Sequence, residues 1–337
     1  MKRYLVLLVI VAIVFGGFAT GTPSSAQDDK LLVVATTTQA YDAMVKLDEG
    51  INRWDIVNLC GPGIDPHVYV PTEGDIEVLN DADFVLTSGL HMEAQMTDIF
   101  EALGERPDVR VYELATPVEE AGYVIGPFEA TEETGLDDPH WWGDPRNFAM
   151  AVDALADILG EMDPDNAEAY RENADAWIED INILFDWADE AMRQVPAQSR
   201  ILISSHDAFS YFGSAFGWKL RALQGVTTAE EAGVADRREL AEFIVENEIP
   251  VIFVEGNVAP TGIIAVQESV EAMGGNVAIA SDPLYSDTLG DFDSFAGTYI
   301  GMIGSNVITI VQAFGYEVPP WPEGLQPSPP EDLLNDQ

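Results

Sequence analysis

The sequence predicts an α/β protein of two α/β lobes with mainly parallel sheets, joined by one long α-helix. Three observations lead there. Short β-rich runs alternate with helical patterns, the signature of βαβ units laid around a parallel sheet. These runs fall into two groups along the 337 residues. Between the groups lies a helical stretch from Asp163-Pro164 to Pro196 that contains no other Gly or Pro, far longer than an ordinary crossover helix.

At the start, Lys2 and Arg3 precede an apolar run from Tyr4 to Phe18, and Ser24-Ser25-Ala26 places small residues where a signal peptidase reads. Residues 1–26 are therefore expected to be a secretory signal, cleaved rather than retained, because the run is shorter than the roughly 20 apolar residues that span a bilayer. No cysteine lies near the end of the run, so no lipid-modified cysteine is expected. Cys60, the only cysteine, rules out a disulfide within the chain and reads as a small buried residue beside the turn Gly61-Pro62-Gly63.

The first lobe, 27–162, holds the strand candidates Leu31 to Ala35, Asp55 to Leu59, Phe84 to Thr87 and Val109 to Tyr112. Residues 126–139 read as an acidic loop. The connecting helix, 163–195, opens on an Asp-Pro start signal. Its apolar positions Tyr170, Ala174, Trp177, Ile181, Leu184, Ala188 and Met192 recur at alternating spacings of four and three, which makes one buried stripe. About 30 residues at 1.5 Å each span roughly 45 Å, enough to run the height of a two-lobed molecule. The second lobe, 196–316, supplies Ile201 to Ser204, Val251 to Val254 and Val277 to Ala280. Residues 317–337 hold six prolines and few core-forming residues and are expected to be a disordered tail.

The chain has four histidines, His67, His91, His140 and His206. Two lie in Asp-Pro-His tripeptides, Asp65-Pro66-His67 and Asp138-Pro139-His140, and a third in Ser204-Ser205-His206-Asp207. In an open parallel sheet, ligands collect beyond the carboxyl ends of strands. His206 and His67 occupy that location by counting, and so do Asp282 and Asp287 in the loop after Ala280. Three neutral imidazoles and a carboxylate suit a borderline transition-metal ion such as zinc, or manganese if the carboxylate chelates, and do not suit calcium or magnesium. His91, in Gly89-Leu90-His91-Met92-Glu93, reads as a surface residue.

Taken together, the motifs resemble one family, the metal-binding substrate-binding proteins of zinc and manganese ABC transporters. The stretches that carry the resemblance are 61–72 (GPGIDPHVYVPT), Ala82-Asp83 through Ser88-Gly89-Leu90 and Glu93, 138–147 (DPHWWGDPRN), 206–212 (HDAFSYF), Ile252 to Glu255, and 284–290 (LYSDTLG). They cover almost the whole chain in the family's order. The resemblance implies a metal in the cleft between the lobes, held by His67 and His140 from the first lobe and His206 and Asp287 from the second. Asp287 is preferred to Asp282 because Tyr-Ser-Asp before a small-residue turn is where the family places its carboxylate. It also implies one Zn2+, or Mn2+, carried as the transported ligand, and an ABC-transporter membrane permease as the partner. His206 at the third position tilts the reading to zinc. Glu255 is a candidate to orient a ligand imidazole. The protein is expected to work as a monomer on the periplasmic or extracellular side of the membrane and not as an enzyme. Because imidazole must be neutral to bind, affinity is expected to fall as the pH drops towards and below about 6.5.

Two rival functions meet the sequence less well. A secreted zinc hydrolase needs an open coordination position and a nearby base, and His-Glu-x-x-His does not occur. A surface adhesin using the metal structurally should unfold when the metal is removed, whereas a carrier should remain folded.

Composition bounds the rest. With 59 Asp+Glu against 15 Lys+Arg the net charge is −44, and no basic stripe reverses it, so nucleic acid is excluded as a partner. Lysine occurs only at positions 2, 30, 46 and 219, a composition suited to a salty external medium. Repulsion among surface carboxylates is screened over about 3 Å at 1 M salt but about 30 Å at 0.01 M. The melting temperature should therefore rise from low to molar salt, and equal stability and solubility at both would remove this reading.

Overall fold

The computed structural model describes residues 30–126 and 136–335. The expected signal segment and most of the acidic loop lie outside the described residues. In the first lobe, β1 (Leu31–Ala35), α1 (Thr38–Leu47), β2 (Trp54–Asn58), α2 (Glu73–Asp81), β3 (Phe84–Thr87), α3 (Thr97–Gly104), β4 (Arg110–Glu113) and the short α4 (Thr116–Glu120) precede α5 (Pro145–Met162). The four strands form one parallel sheet in the order β2-β1-β3-β4. From β2 the chain crosses back over β1 to β3, so β1 has β2 on one side and β3 on the other, and the crevice at the carboxyl ends of β1 and β3 is the switch point where ligands gather. Val33, Val34, Ala35, Phe84, Val85 and Leu86 are buried completely, as strands covered on both faces must be.

Helix α6 (Ala167–Met192) follows a single 3-10 turn at Pro164–Asn166. Its 26 residues span about 39 Å. All seven stripe positions named above are buried, together with Trp187 and Ala191. The stripe packs on α5 and on the last long helix of the second lobe, so α6 is a shared wall rather than a bare tether.

The second lobe runs β5 (Ile201–Ser204), α7 (Ser210–Phe216), β6 (Lys219–Ala222), α8 (Val234–Glu246), β7 (Val251–Ile252), α9 (Thr261–Ala272), β8 (Ala278–Ile279), α10 (Tyr299–Ala313) and α11 (Glu331–Asn335). Its strands pair as β5-β6 and β7-β8, both parallel, and the Phe253 N–H donates to Ile203 O at 2.9 Å, joining the pairs. The sequence reading omits β6, whose Lys-Leu-Arg-Ala alternates exposed and half-buried positions, the pattern of an edge strand.

One apolar core runs through both lobes and α6. At its centre Phe148 of α5 stacks on Tyr299 of α10, centroids 3.6 Å apart. The Tyr299 hydroxyl donates to Trp142 O at 2.7 Å and its backbone N–H to Asp42 Oδ2 of α1 at 2.7 Å.

The tail expectation is corrected. Residues 317–335 are laid on the body, because aromatic and leucine side chains among the prolines find partners there. Trp321 packs edge-on against Trp187, centroids 4.7 Å apart, and Leu325 is buried. Trp187 Nε1 donates to Pro319 O at 3.1 Å, and Gln312 Nε2 of α10 reaches Leu333 O at 3.1 Å.

Candidate metal centre

The two Asp-Pro-His tripeptides fold alike for a local reason. In each, an aspartate oxygen accepts the backbone N–H of the histidine two residues on, Asp65 Oδ1 from His67 and Asp138 Oδ1 from His140, both at 2.9 Å. This is the side-chain mimic of a turn that Asp favours. His67 sits in the loop after β2, and His140 in the approach to α5. His206 follows β5 directly, where Glu255 Oε1, just beyond β7, accepts its backbone N–H at 2.9 Å. Asp287 lies in the loop after β8.

These four side chains meet. Their ligand atoms all lie within 4.8 Å of one another. His140 Nε2 is 3.3 Å from His67 Nε2 and 3.4 Å from His206 Nε2. Asp287 Oδ1 is 3.2 Å from both His140 Nε2 and His206 Nε2. A tetrahedron whose corners lie 2.0–2.1 Å from its centre, the zinc–nitrogen distance, has edges of roughly 3.3 Å. Four of the spacings match that edge, the nearest approach of Asp287 to His67 Nε2 is 3.9 Å, and the donor set suits a transition-metal ion in its chemistry. Relative exposure is 3% for His67, 1% for His140 and 0% for His206 and Asp287, so an ion held there has no path to water while the lobes stay together.

Cross-lobe contacts surround the site. Trp142 Nε1 donates to Ser286 O at 3.0 Å, Tyr211 OH to Asp138 O at 2.9 Å, Thr228 Oγ1 to Asp65 Oδ2 at 2.5 Å, and the Leu289 N–H to Thr38 Oγ1 at 2.7 Å.

Carboxylates stand behind two of the imidazoles. Glu255 Oε2 lies 2.6 Å from His206 Nδ1, and Asp138 Oδ1 lies 2.7 Å from His140 Nδ1. Such partners fix the ring so that Nε2 faces the centre. The sequence reading names Glu255 in this role but not Asp138, although the Asp-Pro-His repeat itself is the signal. His91 is exposed and outside the cluster, with a left-handed backbone, and Asp282 is likewise not among the four.

Electrostatics divides the imidazoles. Burial drives the His67 pKa down to about 3. Burial acts the same way on His140, but Asp138 and Asp287 outweigh it and raise its pKa to about 9. His206 is likewise raised, against burial, by Asp287 and Glu255. Burial favours a protonated Asp287, yet His206, His140 and His67 hold its carboxyl well below the ordinary range. A metal must therefore compete with protons for His140 and His206, whose raised pKa values move the expected rise of affinity with pH above the window of the free imidazole.

The chain matches the model of the family described as zinc-uptake complex component A, periplasmic (ZnuA), over residues 33–313. Its relatives include the manganese-binding lipoprotein MntA of Bacillus subtilis, 35% identical over 310 residues that cover 90% of this chain and 98% of that protein. Zinc-binding protein TroA of Treponema pallidum is 36% identical over 296 residues, 88% of this chain and 92% of that one. The solved structure of periplasmic zinc-binding TroA from Treponema pallidum superposes with a TM-score of 0.79 at 34% identity, covering 85% of this chain and 99% of that one.

The shifted histidines link pH to stability. His140 titrates near 9 folded against an ordinary 6.5, so the stability it contributes is complete below 6.5 and is lost as the pH rises through 9. His206 shifts in the same direction. Metal-stripped protein should melt at a lower temperature at pH 9 than at pH 6.5 by scanning calorimetry. A flat or rising melting temperature would contradict the assignment.

Proposed function

The chain belongs to the zinc-uptake complex component A family, and on that premise we propose that His67, His140, His206 and Asp287 capture one divalent transition-metal ion between the lobes for delivery to the permease of an ABC transporter. The observation that carries this reading is the convergence of four buried donor residues, two from each lobe, with their ligand atoms within 4.8 Å of one another. A metal on such a site pins the lobes together, and the loaded form presents the permease with a surface that the empty form lacks. Release then requires the lobes to part. The shared core along α6 limits that parting to a small movement.

Four protein donors leave little room for an activated water, which supports a carrier over a hydrolase. We divide the chain accordingly into a first lobe, 27–162, a connecting helix, 163–195, and a second lobe, 196–316. We place it as a monomer outside the cytoplasmic membrane, after removal of residues 1–26. Although MntA is named a lipoprotein, Cys60 is buried in the first lobe and offers no attachment point for a lipid. With one relative named for manganese and another for zinc, overall similarity does not separate the metals. The three imidazoles favour zinc.

Calorimetry on the purified mature chain should give one zinc per chain. His67→Ala and His206→Ala, one from each lobe, should each weaken binding by at least about tenfold, since even outer partners of metal ligands contribute that much. Unchanged affinity in both variants would overturn the site.

A further inference from the structure

The family match ends at residue 313, the last residue of α10, yet the chain continues and is laid on the body as far as residue 335. One side chain of this added segment touches two helices at once. The Trp321 ring meets Trp187 of α6 edge-on, centroids 4.7 Å apart, and meets Phe295, in the turn that leads into α10, edge-on at 5.6 Å. Its Nε1 donates to Leu325 O at 3.0 Å, so the segment's own turn fixes the ring, and Leu325 is itself buried. The ring also reaches Gly304 of α10, where a Cβ would come within 2.7 and 2.9 Å of its atoms. Glycine weakens a helix interior, and at this position it makes room for the indole. Trp187 and Gln312 tie the same segment to α6 and α10 by hydrogen bonds to Pro319 O and Leu333 O.

Helix α10 in turn supports part of the metal centre. Two residues beyond Gly304, the buried Asn306 holds Tyr285 by both backbone groups: its Oδ1 accepts the N–H at 2.8 Å and its Nδ2 donates to the carbonyl at 2.7 Å. Tyr285 is two residues from Asp287. At the start of the helix, Tyr299 reaches Trp142 and Asp42 of the first lobe. A tilt of α10 against α6 therefore loosens a second-lobe ligand loop and cross-lobe contacts together. We propose that Trp321 is a positioning residue for metal retention, which braces α10 against α6, keeps the lobes closed and so sets the rate at which a bound ion is released. Removing the ring leaves a void that α10 can relax into, and the cleft then opens at a lower free energy. This inference rests on the carrier reading and adds to it control of release by a side chain outside the ligand set.

The test measures zinc release from the mature chain by stopped flow into excess chelator, beside the melting temperature of the metal-free protein. Trp321→Ala should release zinc about tenfold faster than wild type, within the range for residues that act on a site without touching its ligand. Trp321→Phe, which keeps a ring, should fall between the two. Gly304→Ala approaches from the α10 side: its added methyl group displaces the ring while favouring the helix, so release should again quicken. In the double variant the methyl group enters the space that the ring leaves, and the two effects should be less than additive. Release at the wild-type rate in both Trp321→Ala and Gly304→Ala, whatever happens to the melting temperature, would overturn the proposal and leave the carrier reading intact. Failure of wild type to bind zinc at one per chain would instead overturn the carrier reading, and this inference with it.

Discussion

Four polar donors converge in the dry interior of the molecule, and this arrangement stands only if something positive sits among them. Three imidazoles and a carboxylate stripped of water lose more than their mutual hydrogen bonds return unless a proton or a metal ion supplies charge. Asp138 and Glu255, each buried against an imidazole, raise the negative charge around the centre further. Protons on His140 and His206 meet that demand in the free protein, and a divalent ion meets it better because it serves all four donors at once. The loops that bring the donors there can converge only when the lobes are closed, so the electrostatics of the site and the closure of the lobes are one problem.

The fold solves that problem by supporting the loops from the rear. Both sheets direct the carboxyl ends of their strands at the cleft, and α6 and α10 extend one core beneath both lobes. The stacked pair Phe148 and Tyr299 lies where α5 meets α10. Its hydrogen bonds reach Trp142, two residues from His140, and Asp42 of α1. Movement of one lobe is therefore felt at the ligands, which suits a device that reports occupancy by shape.

Much of this was legible in the sequence, for identifiable reasons. The strands β1, β3 and β5 appear with their expected bounds because they are continuous apolar runs, and the stripe of α6 appears position by position because its periodicity is long and unbroken. Strand β6 was hidden because an edge strand half in water carries little apolar signal. The tail misled because prolines dominate its composition, whereas Trp321 and Leu325 decide its packing. At the site, Asp138 was visible only as half of a motif.

The acidic surface and the metal centre are separate features. Most of the 59 acidic residues face solvent, where charge is screened within about 10 Å at 0.1 M salt, whereas the site draws on a few buried carboxylates. The central claim is that a metal is held by three imidazoles and one carboxylate drawn from both lobes. X-ray absorption on stoichiometrically zinc-loaded protein tests it most directly. The account predicts four nitrogen or oxygen neighbours at about 2.0 Å, with the outer-shell scattering of three imidazole rings. A six-oxygen shell without imidazole scattering would place the metal on the acidic surface and contradict it.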